Sequence, residues 1–257
     1  MQEKGGKFMS FVLFGQMQDP NIASLRPYFD LFLDQEADYT WDLNTNILVQ
    51  GGEPVTISGF FGRANVFSEN THQRYNNWYL MVNYLKSNPE IACYNRNYDH
   101  ITPIKAANLR RALAAGLKIP RTIIGKGPID GDCIVKPLTG GLHCQSGNES
   151  LYTGIIQHRM KGTNRRLFLI GEQHFGFKLE TTELDYRDDP HTKVSSHYFS
   201  PDMVNKVRTV ARGLGLTFCA ADFMGDVFLE INSGPMFAAF NNVVGGALAK
   251  AIYTELK

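Results

Sequence analysis

A chain of 257 residues, 43% apolar and 20% charged, can bury a large core in one or two compact units and has the composition of a globular protein. Its 26 basic and 25 acidic residues leave a net charge of +1, so it lacks the electrostatic footprint of a nucleic-acid binder. No apolar run approaches the roughly 18 residues of a membrane span, and four scattered cysteines without a C-x-x-C pair read as reduced thiols of a soluble, cytoplasmic protein.

Lys4 and Lys7 precede the apolar run 8–14, which resembles the start of a signal peptide. No small-x-small cleavage pattern follows, and the run is read as a buried first strand with a loop over 15–21. Residues 24–34 place Leu25, Tyr28, Phe29, Phe32 and Leu33 at helical spacing and are predicted to form a helix. Strands are predicted at 39–43 and 55–61, giving the strand–helix–strand order of a small α/β unit. An amphipathic helix over 74–85 ends at Ser87-Asn88-Pro89.

Thr102-Pro103 offers a capping residue and an N1 proline for a helix running through Leu109 and Leu113 to Gly116. Lys105 falls in its first turn, where the helix dipole disfavours a cation. Either a nearby anion keeps it there or it faces solvent. From Ile119 the character changes to short strands and glycines, with strands predicted at 119–124 and 133–135. Lys136 ends the second of these, and Thr139-Gly140-Gly141 follows as a flexible turn whose amides could approach a phosphate. The absence of G-x-x-x-x-G-K-[ST] excludes a P-loop.

Segments 155–160 and 166–171 are predicted to pair as strands, with another strand at 175–179 and a polar loop at 190–196. Ser200-Pro201-Asp202 starts a helix carrying Val204, Val207, Val210, Ala211 and Leu214, closed by Gly213 and Gly215. It leads into a hairpin, 216–223 and 227–231 around the tight turn Gly225-Asp226, and the chain ends in a predicted helix over 243–256. Along the second arm, Glu230 and Asn232 alternate with Leu229 and Ile231, and the short turn brings Asp222 back near Glu230. Two carboxylates and an amide on one face suit Mg²⁺, although an edge hairpin can also carry them as a solvated polar face.

Together these residues resemble the ATP-grasp ligases, most closely the microviridin-type peptide-modifying branch and its relatives, the ribosomal-protein glutamate ligases. The resemblance spans nearly the whole chain. It runs from the helix and strand Asn108–Thr122 through Ile134-Val135-Lys136-Pro137-Leu138 to the hinge Gln157-His158-Arg159-Met160. It continues in Arg166-Leu167-Phe168-Leu169-Ile170-Gly171, in Asp185-Tyr186-Arg187, similar to the branch's D-W-R, and in Phe228-Leu229-Glu230-Ile231-Asn232, similar to its F-L-E-x-N. The glycine flap Thr139-Gly140-Gly141 is brief, and the segment leading to Gln157 is shorter than in the branch.

The resemblance implies a mixed α/β (α+β) ATP-grasp fold: a pre-ATP-grasp domain over 1–93, a central subdomain over 94–160 and a C-terminal subdomain with the metal site over 161–257. It implies ATP and Mg²⁺. Lys105 and Lys136 would hold phosphates, and Gln157, His158, Arg159 and Met160 would meet adenine through their backbone. Asp222, Glu230 and Asn232 would bind the metal, Arg166 would stabilise an acyl phosphate, and Asp185 and Arg187 would lie near an acceptor carboxylate. The implied activity is carboxylate–amine or carboxylate–hydroxyl ligation in ribosomal peptide modification. It needs a peptide or small-molecule carboxylate, no nucleic acid and no membrane, and admits a homodimer. Three other readings stand beside it: a ligase for free amino acids or other small carboxylates, a weakly catalytic nucleotide-gated peptide-binding module and a hydrolase built on His143-Cys144. Neighbours on a strand point apart, which argues against the last.

Overall fold

The computed structural model describes residues 10–63, 71–96, 105–136, 138, 144–150, 153–183 and 186–257, the side chains of Thr71 and Arg187 aside. Two units divide the chain, one of residues 1–96, 236–241 and 246–257, the other of 97–235 and 242–245.

In the first unit, β1 (Phe11–Gly15) is the expected first strand, and Val12, Leu13 and Phe14 are fully buried. The following segment departs from expectation. Helix α1 is short (Pro20–Leu25), capped by Asp19, whose Oδ1 accepts the Asn21 N–H at 2.8 Å; it therefore begins inside the expected loop. A 3₁₀ turn (Arg26–Tyr28) and strand β2 (Leu31–Asp34) replace the predicted helix over 24–34. Pro27 is the physical reason, since it lacks an N–H and its ring opposes a continuing helix. Leu31–Asp34 instead pairs in parallel with β1, Val12 opposite Leu31.

Next come β3 (Tyr39–Asp42), β4 (Ile47–Gln50) and β5 (Glu53–Val55), an antiparallel three-stranded sheet. Gly51 and Gly52 turn β4 into β5 with φ of +57° and +89°, the left-handed conformation a two-residue hairpin turn requires. The predicted strand 55–61 is thus divided between β5 and β6 (Gly59–Gly62). Helix α2 (Thr71–Ser87) contains the predicted 74–85, and β7 (Ala92–Cys93) completes a parallel sheet in the order β2-β1-β6-β7. Met81, Tyr84 and Leu85 of α2 share a core with Val12, Phe14, Leu33 and Phe60.

The second unit opens on α3 (Lys105–Ala114); the expected cap Thr102-Pro103 lies outside the described residues. Strands β8 (Thr122–Gly125), β9 (Cys133–Lys136), β10 (Gln145–Ser146) and β11 (Gly154–His158) form an antiparallel sheet in the order β10-β9-β11-β8. Strands β12 (Asn164–Ile170), β13 (Gln173–Glu180) and β14 (Lys193–Ser196) belong to a second sheet. Helix α4 (Pro201–Gly213) follows, capped by Ser200. The hairpin β15 (Phe218–Met224) and β16 (Val227–Asn232) completes that sheet in the order β14-β13-β12-β15-β16. Leu109 and Ala112 of α3 and Val204, Val207 and Val210 of α4 cover one of its faces, with Leu167, Ala221 and Ile231 beneath them.

Two expectations are corrected here. Segments 155–160 and 166–171 do not pair: β11 lies between β9 and β8, and β12 between β13 and β15. The Gly225 N–H donates to Thr163 O at 2.8 Å, fixing the start of β12 beside the end of β15, and Gly171-Glu172 turns β12 directly into β13. The polar loop 190–196 contains β14, an edge strand whose Lys193, Ser195 and Ser196 face solvent. Polar side chains are what an exposed edge requires.

The predicted terminal helix is broken into α5 (Ala238–Val243) and α6 (Ala247–Thr254) by Gly245 and Gly246, at φ of +58° and +89°. Asn21 Oδ1 accepts the N–H groups of Phe237 (2.6 Å) and Ala238 (2.8 Å), and the Tyr94 hydroxyl donates to Ile252 O (2.7 Å). These bonds tie the chain end into the first unit. No described helix is long and apolar enough to cross a membrane, and none of the four cysteines forms a disulfide.

Candidate active site

Register across the second sheet places Arg166 on β12 opposite Asp222 on β15, and Asp222 opposite Glu230 on β16. Directly opposed residues of antiparallel strands share a face, so the three form one row. Leu167, Ala221 and Ile231, one position along each strand, take the opposite face under the helices. The register shifts between Asp222 and Phe223, a bulge just beyond the row. Asn232 stands two residues beyond Glu230. The predicted convergence of Asp222, Glu230 and Asn232 is therefore met.

Arg166 is 5% exposed and grips Asp222 with two bonds, Nε to Oδ1 at 2.6 Å and Nη2 to Oδ2 at 2.8 Å. Its Nη1 donates to the Tyr186 hydroxyl at 2.9 Å, and its guanidinium carbon lies 5.1 Å from the Tyr186 ring centre. Asn232 Nδ2 donates to Asp222 Oδ2 at 3.1 Å and to Glu230 Oε1 at 3.2 Å, so one amide bridges both carboxylates.

Burial pushes the Asp222 carboxyl above the usual carboxylate range, with Arg166 pulling against it. Glu230 goes the other way. Burial acts upward on it too, but Lys136 and then Lys105, helped by the Asn232 hydrogen bond and Arg166, hold it below the usual range. Burial works against the Arg166 charge as well, yet Asp222 beside it keeps that guanidinium above its ordinary value. Lys105 at the start of α3 thus has an anion near it in Glu230, which offsets its unfavourable place against the helix dipole.

Among the described residues, no group of three His, Cys, Asp or Glu side chains is arranged to hold a metal. The set present is two carboxylates joined through one amide. It suits Mg²⁺, which takes one or two protein carboxylates and fills its shell with water and phosphate oxygens.

On the other sheet, Ile155 of β11 pairs with Lys136 of β9, so Lys136, Ile155 and Gln157 share a face while Ile156 packs behind against Ile129 and Cys133. Gln157 is 1% exposed, and its Nε2 donates to Thr122 Oγ1 at 3.0 Å. That hydroxyl donates in turn to Pro120 O at 2.8 Å. A carbonyl only accepts, so the chain of bonds has one direction and Gln157 Oε1 is left buried with no donor among the described residues. Such an atom is costly unless a ligand supplies an N–H.

No family model matches this chain, and no curated protein matches it. Solved structures do. The ATP-grasp ligase PsnB, complexed with a phosphomimetic variant of a minimal precursor, Mg and ADP, superposes with a TM-score of 0.79 at 18% identity, over 97% of this chain and 99% of its own. The chain has the ATP-grasp fold. MdnC, a macrocyclase of Microcystis aeruginosa MRC bound with precursor peptide MdnA, gives a TM-score of 0.72 at 14% identity, over 96% of this chain and 99% of its own. A RiPP-associated ATP-grasp ligase of Chryseobacterium gregarium, in complex with ADP and a leader and core peptide, gives 0.72 at 16% identity and 96% coverage of both chains.

Within this ATP-grasp fold the hinge differs in detail from expectation. The His158 and Arg159 N–H groups donate to Arg121 O and Asp132 O, both at 2.9 Å, whereas no acceptor for the Met160 N–H is found among the described residues. The His158 ring lies 3.0 Å from Asp130 O, and the Arg159 side chain is exposed. Gln157 Oε1 and the Met160 N–H are therefore the hinge groups for which no partner is found among the described residues. Thr139-Gly140-Gly141, Asp185 and the Arg187 side chain lie outside the described residues. Sequence reading overlooked the Gln157 side chain and the Tyr186 hydroxyl. A lone glutamine within the apolar run Ile155-Ile156 was the available signal for the first.

Proposed function

We propose that the chain is an ATP-dependent carboxylate–amine or carboxylate–hydroxyl ligase that activates a peptide carboxylate as an acyl phosphate. The observation that carries this reading is the Arg166–Asp222–Glu230 row with its Asn232 bridge, electrostatically reached by Lys136 and Lys105. The precursor peptides held by the structural neighbours favour a peptide over a free amino acid. Four cysteines without a disulfide accord with a cytoplasmic setting.

A carboxylate is a poor acyl donor because its oxygen is a poor leaving group. In the proposed reaction a carboxylate oxygen bonds to the γ-phosphorus of ATP as the bond to the ADP oxygen breaks. An amine or hydroxyl then attacks the carbonyl carbon, phosphate leaves and the nucleophile loses its proton. Lys136 and Lys105 offset phosphate charge, and Arg166 lends charge to the transferred group from its place against Asp222. Asp222, Glu230 and Asn232 would hold Mg²⁺, which would supply positive charge to offset that of the phosphates. Asp185 and Arg187 are assigned to the acceptor carboxylate.

Gln157 Oε1 fits the 6-amino group of adenine, and the Met160 N–H fits a ring nitrogen. Guanine would set a carbonyl oxygen against Gln157 Oε1. Gln157→Leu is therefore expected to shrink the preference for ATP over GTP by about tenfold, read as the ratio of the two Kd values. Lys136→Ala is expected to raise the Kd for ATP by about tenfold with an unchanged circular-dichroism spectrum; equal affinity by calorimetry would leave Lys136 a structural lysine.

The reading is tested on a short peptide rich in Asp or Glu and in Ser, Thr or Lys, encoded beside this chain. With ATP and Mg²⁺, the product is expected to be lighter than the peptide by one water. A product heavier by a phosphoryl group would make the protein a kinase.

A further inference from the structure

Tyr186, beside the loop residue Asp189, meets Arg166, and directional bonds hold this loop on both sides. The loop is stitched to itself by Asp189, which accepts from the Thr181 hydroxyl (2.9 Å), the Thr182 N–H (3.0 Å) and the His191 N–H (2.8 Å). Within it, the Thr192 hydroxyl donates to the Tyr186 carbonyl at 2.9 Å. Toward the sheet, the Tyr186 hydroxyl accepts from Arg166 Nη1 and its ring lies against the guanidinium. The remaining edge of that guanidinium holds both oxygens of Asp222.

A bidentate arginine and a divalent cation compete for one carboxylate, because each binds it through the same oxygens and charge. A buried guanidinium held by Asp222 alone would yield that carboxylate only at the cost of its own donors. With Tyr186 as a second holder, by hydroxyl and ring face, Arg166 stays satisfied while Asp222 turns toward a cation. We propose that Tyr186 is a positioning residue that shares Arg166 with Asp222 and so keeps Asp222 available to a divalent cation at the Asp222–Glu230–Asn232 set. This rests on the metal reading of that set made above.

The test is Mn²⁺ binding in the presence of ADP, followed by electron paramagnetic resonance of free Mn²⁺. Wild type, Tyr186→Phe, Tyr186→Trp and Thr192→Val are compared, with a thermal melt of each. Phe and Trp keep an aromatic face and lose the phenolic oxygen. The Mn²⁺ Kd is expected to rise by about tenfold in both, while ADP affinity without metal stays within about twofold of wild type. Thr192→Val leaves Tyr186 in place but removes the hydroxyl bonded to its carbonyl, and is expected to weaken Mn²⁺ by about threefold. If both Tyr186 variants fail to fold, Thr192→Val decides by that criterion. Mn²⁺ affinity equal to wild type in the folded variants overturns the sharing of Arg166 and leaves the metal reading standing. A wild-type protein that binds no Mn²⁺ overturns the metal reading and this inference with it.

Discussion

Glu230→Gln is expected to lower Mg²⁺-dependent ADP formation by at least about a hundredfold, roughly 2.7 kcal/mol of lost transition-state stabilisation, with little change in melting temperature. The substitution is nearly isosteric, and the amide can keep an oxygen toward Asn232 Nδ2, which now lies 3.2 Å from Glu230 Oε1. What it removes is one of the two carboxylates in the row and the counter-charge that Lys136 and Lys105 meet. Mg²⁺ draws few of its ligands from protein carboxylates, so the loss of one is felt in full. A coupled ADP assay with a parallel melt checks this. Unchanged turnover in the folded variant would move the metal elsewhere.

The second large effect is on stability. Arg166→Met alone is expected to cost about 3–5 kcal/mol, because it leaves the buried Asp222 without the guanidinium that offsets its burial. Asp222→Leu alone is expected to cost a similar amount for the converse reason. The double variant Arg166→Met/Asp222→Leu is expected to recover most of the loss, since fully buried Phe168 and Phe177 already make that sheet face apolar. Urea denaturation of the four proteins closes the cycle. Losses that simply add would show that the pair seen at 2.6 and 2.8 Å carries no interaction energy. The double variant is expected to be stable and inactive, which separates what the pair does for the fold from what it does for the chemistry.

The row was half legible. A tight Gly225-Asp226 turn between apolar arms specifies its own register closely enough to bring Asp222 to Glu230, because both partners lie within one hairpin. Arg166 could not be placed opposite Asp222 by the same logic. The two are far apart in sequence, and the pairing of β12 with β15 depends on Thr163 meeting the Gly225 turn, a contact no local pattern announces. The misread helix over 24–34 shows a different limit. Helical spacing of Leu25, Phe29 and Leu33 was real, but Pro27 and the parallel partner β1 outweighed it. Likewise β14 is polar because it is an edge, and polarity alone reads as loop. At the hinge, Gln157 was identified by its position, whereas the direction of its side-chain hydrogen bonds depends on Thr122 and Pro120, which no local pattern announces.

The central claim is that a carboxylate is activated as an acyl phosphate, and hydroxylamine trapping tests it most directly. The protein, its peptide, Mg²⁺ and ATP are incubated with hydroxylamine, and the peptide and nucleotide products are identified by mass and phosphorus resonance. The account predicts a peptide hydroxamate formed together with equal amounts of ADP and phosphate, abolished in Glu230→Gln. Release of AMP and pyrophosphate would contradict it, because the carboxylate would then have been activated as an adenylate.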